Sequence, residues 1–366
     1  MWNDQISRRR FVRNSTLAAA GMAVGLNAAE AAKRTRSYSE SMEYRPLGAT
    51  GLMLSAISLG GHWKKVPYQY GTEAFAKNRR DVVSACIDCG INYIDACAEG
   101  EVLAYAEALR GRREKMYLGF SYYEHEMRFA EWQTAEKLLA ALDDLMARAK
   151  LDYVDLWRPT CYWQPHTDHA VAHEEAMVEA LEKAKKAGKV RFGGMSTHKH
   201  DWAMRMVQTY PQTIQAIVLP YTAGSKKAHM RVERSKGGWQ AVAEQEGDSM
   251  YSLIDVVKKS RSGWVGIKPF AGGSLFKAHG ATDSRVKDED DQRARLTLRY
   301  VLCNDALTCA IPGLATTEQV YNAAKAVNER RELDVAERRQ LDEAVEEMWA
   351  KLPSKYKWLK NEWEYV

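Results

Sequence analysis

The sequence has no surplus of one charge: 53 Lys and Arg stand against 48 Asp and Glu in 366 residues, a formal net charge of +5. The small excess is scattered rather than gathered into a stripe, so nucleic acid is not an expected partner. Beyond Cys86-x-x-Cys89 there is no second Cys-x-x-Cys and no paired-histidine motif, so neither a zinc site nor an iron–sulfur cluster is expected. The six cysteines are Cys86, Cys89, Cys97, Cys161, Cys303 and Cys309, and the first two share a helical register with Val82, Val83 and Ile87, as on a buried helix face. No segment is long and apolar enough to span a bilayer. No Gly-x-Gly-x-x-Gly follows a strand-like run, which argues against an open dinucleotide-binding sheet. With 46% hydrophobic and 28% charged residues, disorder and collagen-like repetition are excluded as well.

What is present begins with an address. Ser7-Arg8-Arg9-Arg10-Phe11 precedes a mildly apolar stretch, Ser15 to Leu26, and then Asn27-Ala28-Ala29-Glu30-Ala31-Ala32, which offers small-residue cleavage sites. This order resembles the twin-arginine signal. The resemblance implies recognition by the twin-arginine translocation machinery, export of an already folded protein and a periplasmic or other extracytoplasmic location after cleavage. Residues 1–32 hold four arginines and two acids, so their loss leaves a formal charge of +3. Residues 33–41 read as a polar linker.

From residue 42 short apolar runs alternate with amphipathic stretches. The runs are Ala56–Gly60, Asn92–Asp95, Met116–Phe120, Tyr153–Trp157, Val190–Met195, Ala216–Leu219, Trp264–Ile267 and Thr308–Ile311. Helical spacing marks Arg79–Cys89, Trp132–Ala149, His173–Ala187, Met250–Ser260, Asp290–Leu302 and Thr317–Val327, with Gly90, Gly111 and Gly188 where C-caps belong. Eight strand–helix units in a row predict an α/β protein, a closed (β/α)8 TIM barrel over residues 42–330. Residues 222–248 form a long polar insertion after the sixth strand, of the kind that serves as a lid or cover. Residues 331–366 add a C-terminal helix, with Val335, Leu341, Ala344, Val345 and Met348 at helical spacing, and an aromatic tail expected to pack on the barrel.

The ordered strings identify a family resemblance. Met42-Glu43-Tyr44-Arg45-Pro46-Leu47-Gly48, Leu59-Gly60-Gly61, Gly90-Ile91-Asn92-Tyr93-Ile94-Asp95, Gly188 to Ser196, Ile267-Lys268-Pro269-Phe270-Ala271-Gly272-Gly273, and Ile311-Pro312-Gly313 with Glu318-Gln319-Val320 resemble successive segments of the aldo-keto reductases. That family reduces carbonyls with NADPH, using an aspartate, a tyrosine acid, a lysine that lowers the tyrosine's pKa and a histidine that orients the carbonyl. A phenol with a pKa of about 10 needs such a cation to exchange protons near neutrality.

The resemblance assigns the aspartate to Asp95 and leaves the other roles vacant. Glu99 or Gly100 occupies the tyrosine slot, Ser121 the lysine slot and Thr160 the histidine slot. On the cofactor side Ser196 matches the amide contact, Thr197 replaces an asparagine and Val218 a glutamine. Gly313, Thr317 and Gln319 belong to the loop and helix start that would cradle a pyrophosphate. Leu314-Ala315-Thr316-Thr317 lacks a basic residue for a 2′-phosphate, which leaves NADP or NAD open. The Lys268 string resembles a subgroup carrying a C-terminal iron–sulfur module, but no cysteine run follows Cys309.

Barrel strand ends converge on one mouth, so Asp95, Arg158 and Lys268 are the candidate catalytic residues; either cation could pair with Asp95 or hold an anion. His62, His125, His166, His169, His198, His200, Glu99 and Glu101 are candidate replacements for the missing acid. The aromatic share of 10%, with 11 Trp and 18 Tyr, fits a sugar-like substrate. The expectation is an exported nicotinamide-dependent oxidoreductase with a rebuilt proton relay, acting on a small carbonyl or sugar-like molecule. A cofactor-free lyase or isomerase on the same barrel, or a binding protein that has lost the chemistry, are the alternatives.

Overall fold

Strand-length apolar runs separated by amphipathic stretches can bury both sheet faces when a parallel sheet is wrapped by helices. The computed structural model has this form and describes residues 28–61, 66–161, 171–226, 231–235, 238–242, 252–278 and 285–366. Residues 1–27 of the expected signal, His62, His166 and His169 lie outside the described residues.

Helix α1 (Ala28–Lys33) precedes a hairpin of β1 (Tyr44–Pro46) and β2 (Met53–Ser55). The alternation follows as β3 (Leu59–Gly60), α2 (Glu73–Asp88), β4 (Tyr93–Ala96), α3 (Glu99–Ala108), β5 (Tyr117–Phe120), α4 (Ala135–Ala149), β6 (Val154–Trp157), α5 (Val171–Lys186), β7 (Val190–Ser196), α6 (His200–Thr209) and β8 (Ala216–Pro220). The insertion carries a second hairpin, β9 (Arg231–Ser235) with β10 (Gly238–Val242). Then come α7 (Leu253–Ser260), β11 (Gly263–Ile267), α8 (Lys287–Leu302), β12 (Leu307–Ile311), α9 (Thr317–Asn328), α10 (Val335–Ala350) and α11 (Trp358–Trp363).

Eight parallel strands run in the order β12-β11-β8-β7-β6-β5-β4-β3. Bridges from Ile57 to Ala310 and from Gly60 to Gly313 join the two edges, so the sheet closes into the (β/α)8 barrel. Alternation decides which side chains enter it: on β4, Tyr93 joins the interior cluster with Leu54, Tyr117, Leu156 and Val265, whereas Ile94 and Ala96 face the helices. The three C-cap glycines take left-handed φ as expected, Gly90 at 79°, Gly111 at 76° and Gly188 at 72°. Cys86 is fully buried on α2, as its register predicted.

The C-terminal segment departs from the simplest expectation at one position. Leu341, Ala344 and Met348 are buried, but Val335 is exposed, because it opens the helix behind a capping box of Asp334 and Glu337. Arg299 on α8 donates to both Glu337 oxygens, at 2.8 and 2.9 Å, which ties α10 to the barrel.

The stretch expected to be a free linker is seated in the barrel floor. Thr35 Oγ1 donates to the Met53 carbonyl at 2.6 Å, and Arg36 donates to the Met116 carbonyl at 2.6 Å and lies over the Tyr117 ring. Arg36 also approaches Asp155 at 3.3 Å, beside Arg113 and Arg191, each 2.7 Å from that carboxylate. Burial opposes ionisation of Asp155, but the three guanidinium groups outweigh it and hold its carboxyl well below the usual range.

Because the folded pKa is depressed, this cluster contributes stability above the unfolded value of about 3.9 and loses it as pH falls through the folded pKa. Arg36→Ala is expected to lower stability at neutral pH by about 1–3 kcal/mol, less than loss of a sole buried partner because Arg113 and Arg191 remain. It should also flatten the acid limb of thermal melts between about pH 4 and pH 2. A melting temperature within one degree of the parent at both ends would show that Arg36 is not part of the floor.

Candidate active site

Asp95 is the next-to-last residue of β4, where the inward parity set by Tyr93 brings its carboxylate to the barrel mouth. Arg158 follows β6, two residues beyond Leu156 and on the same interior face. Its Nε donates to Asp95 Oδ1 at 2.9 Å and its Nη2 donates to Oδ2, while the Tyr93 hydroxyl donates to Oδ1 at 3.1 Å. All three residues are buried. Burial works against the Arg158 charge, yet the Asp95 carboxylate more than compensates and the guanidinium pKa rises above its ordinary value. Burial and then the same carboxylate push the Tyr93 phenol well up. Neither Arg158 nor Tyr93 can therefore exchange a proton near neutrality.

The missing side chain at residue 119 on β5 leaves the room that Tyr93 and Asp95 occupy. A Cβ at Gly119 would lie 2.0 Å from the Tyr93 Oη and 2.9 Å from Asp95 Oδ1. The slot one step outward, expected to be vacant, is closed by polar contacts. Ser121 Oγ and Thr160 Oγ1 lie 2.9 Å apart, and the buried Glu126 accepts from Ser121 Oγ at 2.5 Å and from the backbone N–H groups of Tyr122 and Thr160, both at 2.8 Å. The remaining nitrogen, Arg158 Nη1, lies 3.5 Å from Thr160 Oγ1.

Asp95, Arg158 and Lys268 line one cavity of about 1980 Å³, together with Thr160, Ser196 and Glu101. Lys268 follows β11 with φ at 59°, a conformation that is strained for a side-chain-bearing residue, and its Nζ is 5.8 Å from the Trp358 ring. Arg158, rather than Lys268, forms the bidentate pair with Asp95. The two glutamates near the tyrosine slot separate cleanly. Glu99 is held by Arg148 and by the Tyr122 hydroxyl at 2.9 Å, whereas Glu101 is buried against Gly61 and accepts from the Cys97 N–H at 2.9 Å.

The cavity continues past Gly313 to Thr317 and Gln319 at the start of α9 and to Lys287 at the start of α8. Thr316 caps α9 by accepting from Gln319 N at 3.3 Å, and Gln319 Oε1 accepts from Ala315 N at 2.7 Å, so this glutamine shapes the loop. Ser196 Oγ, at the mouth, donates to the Val218 carbonyl at 3.1 Å. Thr197 is buried behind the wall, its hydroxyl accepting from Lys199 N at 3.2 Å.

Of the described histidines considered as acids, His125 is wedged between Tyr122 and Trp132 away from the cavity. Burial pushes His200 down to about 3, which keeps it neutral. His198 does line the cavity and stacks on Trp358 at 4.0 Å. Trp358 belongs to the C-terminal tail, whose Val366 N–H donates to the Lys226 carbonyl at 3.0 Å and whose Trp363 Nε1 donates to the His198 carbonyl at 3.2 Å. The tail thus forms a wall of the cavity, a role that its alternation of charges and aromatics did not specify. Tyr93 and Glu126 were also missed. The first has a sequence signal, its position two residues before Asp95; the second has none.

A closed barrel with a buried carboxylate–cation pair at its mouth and a long cleft toward a helix start defines the class of protein. The model of the aldo/keto reductase family matches residues 52–346. The chain belongs to that family. It is 28% identical over 275 residues to the 6-dehydroglucose reductase of Novosphingobium aromaticivorans, covering 69% of this chain and 77% of the relative. It is 23% identical over 314 residues to the L-galactose dehydrogenase of Arabidopsis thaliana, covering 80% and 90%. Among solved structures, an aldo-keto reductase from Klebsiella pneumoniae in complex with NADPH superposes with a TM-score of 0.58 at 20% identity, covering 82% of this chain and 94% of that one.

Gly119→Ala tests the packing of Tyr93 against Asp95. The added methyl is expected to lower stability by about 1–3 kcal/mol, read as a fall in melting temperature, and to displace Tyr93 from Asp95. A melt unchanged from the parent would mean that the Tyr93–Asp95 contact does not depend on this gap.

Proposed function

We propose that the protein is an exported oxidoreductase that moves hydride between a nicotinamide dinucleotide and a small carbonyl or sugar-like substrate. In this reading the fixed charge of Arg158 replaces the titrating tyrosine relay. The observation that carries the proposal is the Asp95–Arg158 pair, placed at one end of a single cavity large enough for a dinucleotide and a substrate together.

The residues present fit such a cofactor. The cavity of about 1980 Å³ exceeds that of an ordinary small-molecule site and is bounded by the start of α9, whose N-terminal dipole favours phosphate. Ser196 stands at the mouth for the nicotinamide amide, and Gly313, Thr317 and Gln319 stand along the phosphate path; Thr197 acts through the backbone behind Ser196. When bound, the dinucleotide supplies or accepts a hydride at the nicotinamide ring.

The chain's own part is electrostatic. Asp95 and Tyr93 hold the Arg158 plane fixed, so Nη1 and the Thr160 hydroxyl face the place where a carbonyl oxygen gathers negative charge. Preorganised donors of this kind in a water-poor site contribute on the order of 10²–10³ in rate. Arg158 keeps its proton throughout, so the product oxygen takes one from elsewhere. Of the two glutamates beside the tyrosine slot, Glu101 lines the cavity and suits that task. The substrate class is supported by the relatives' names, which are those of a dehydroglucose reductase and a galactose dehydrogenase. Tyr68, Tyr70, Tyr356 and Trp358 on the walls suit a sugar face.

Export rests on the arginine-rich start and the small-residue run, and it implies a cofactor bound before translocation. A second reading, binding without turnover, is favoured by one observation: the Ser121, Thr160 and Glu126 network closes the lysine and histidine slots.

A single experiment separates these readings. Full-length protein is expressed, cell fractions are assayed for NADH or NADPH consumption with D-glyceraldehyde and aldohexoses, and the Arg9→Lys/Arg10→Lys variant is run alongside. Carbonyl-dependent oxidation in the periplasmic fraction, shifted to the cytoplasm by the variant, is the expected result. The purified protein is also titrated with NADH and NADPH by calorimetry: binding without turnover would support the binding reading, and absence of binding would end the oxidoreductase proposal.

A further inference from the structure

We infer that Tyr70, carried by the loop between β3 and α2, fills the gap left at Gly100 and there holds a hydroxyl group of the substrate; the inference deepens the oxidoreductase reading above and rests on it. Of the two residues aligned with the tyrosine slot, Glu99 is drawn away by Arg148, whereas Gly100 lines the cavity in the first turn of α3. Glycine is disfavoured inside a helix, so its presence there calls for a physical reason. A Cβ at Gly100 would lie 3.2 Å from Tyr70 Cζ and 3.3 Å from both its Cε2 and its Oη. The hydroxyl end of the Tyr70 ring thus occupies the space into which a side chain at residue 100 would grow.

The loop is built to hold the ring in that place. Gly71 takes a left-handed φ of 85°, which turns the chain directly after Tyr70. The Thr72 hydroxyl closes the turn by donating to the Gln69 carbonyl at 2.7 Å, and it accepts from Phe75 N at 3.2 Å as α2 begins. Phe75 is buried and meets the Tyr70 ring edge to face, with centroids 5.3 Å apart.

Tyr70, Gly100, Asp95, Arg158 and Thr160 line one cavity. With the carbonyl oxygen facing Arg158 and Thr160 at the end of β6, a residue at the start of α3 meets the remainder of a polyhydroxy chain. A half-exposed ring with a polar tip suits that contact. Burial and then Glu99 raise the Tyr70 pKa, with Arg148 pulling the other way, so the phenol keeps its proton near neutrality and acts as an O–H donor. It transfers no proton and serves as a specificity residue.

The test compares the parent with Tyr70→Phe, Tyr70→Ala, Gly100→Ala and the Tyr70→Ala/Gly100→Ala double variant in steady-state turnover with reduced nucleotide. D-glyceraldehyde and D-glucose are the hydroxylated probes, and propanal is the bare aldehyde. Tyr70→Phe is expected to lower kcat/KM about three- to tenfold for the hydroxylated probes, chiefly through KM, and to leave propanal within about twofold. Gly100→Ala should displace the exposed ring and lose as much in the parent, yet cost less than about twofold in the Tyr70→Ala background. An equal loss with propanal, no loss with the hydroxylated probes, or additive effects at the two positions would overturn the inference and leave the oxidoreductase reading intact. If the parent transfers hydride to none of the three, that reading fails, and the same set of variants is titrated with D-glucose by calorimetry: a non-additive loss of affinity upholds the Tyr70 contact, and absence of binding or additivity overturns it.

Discussion

A carboxylate and a guanidinium taken out of water together govern the arrangement of this barrel mouth. Each would be costly to bury alone, and the pair is tolerated because the fork of Arg158 matches both oxygens of Asp95. The pair in turn dictates its surroundings. Tyr93 donates to the same carboxylate, Gly119 lacks a side chain where Tyr93 and Asp95 need the room, and Thr160 is left beside the one remaining nitrogen. The aldo/keto reductase fold thus keeps a cation beside its aspartate while taking it from β6, the strand next to the one on which the family resemblance places a lysine.

This relocation also explains why so few of the family's other groups are needed as structure. A lysine at residue 121 would project into the space where Ser121, Thr160 and Glu126 bond one another. That network, completed by the Trp157 Nε1–H donating at 3.1 Å, satisfies a fully buried carboxylate whose pKa burial raises and whose four donors pull it back. The lysine and histidine positions are thereby closed by fixed polar contacts. The cleft continues from the mouth to the starts of α8 and α9 and is walled on one side by the C-terminal tail carrying Trp358.

The barrel was legible because strand parity and helix spacing are local properties: the eight runs and the C-cap glycines each lie within a few residues of the feature they specify. Asp95 was legible for the same reason, as the end of a strand with an apolar predecessor. Arg158 was visible as an unusual charge at a strand end, but its pairing with Asp95 joins residues 63 apart in the chain on strands that are not neighbours. The floor contact of Arg36 with Asp155 spans 119 residues and the tail contact of Trp363 with His198 spans 165. No periodicity encodes such pairs, so residues 33–41 read only as a polar linker and the tail only as packing on the barrel. Glu99 and Glu101 were indistinguishable in sequence because both lie in the first turn of α3, and the rotation of that helix alone decides which one faces the cavity.

The central claim is that a fixed guanidinium charge at Arg158 stabilises the reacting oxygen. Its most direct test is the single-turnover rate of hydride transfer from bound reduced nucleotide to D-glyceraldehyde in the parent and in Arg158→Lys, which keeps a cation beside Asp95 but removes the nitrogen facing Thr160. The account predicts a loss of on the order of 10²-fold in that rate, with nucleotide affinity unchanged within about twofold. A variant that transfers hydride as fast as the parent, or a parent that transfers none, would contradict it.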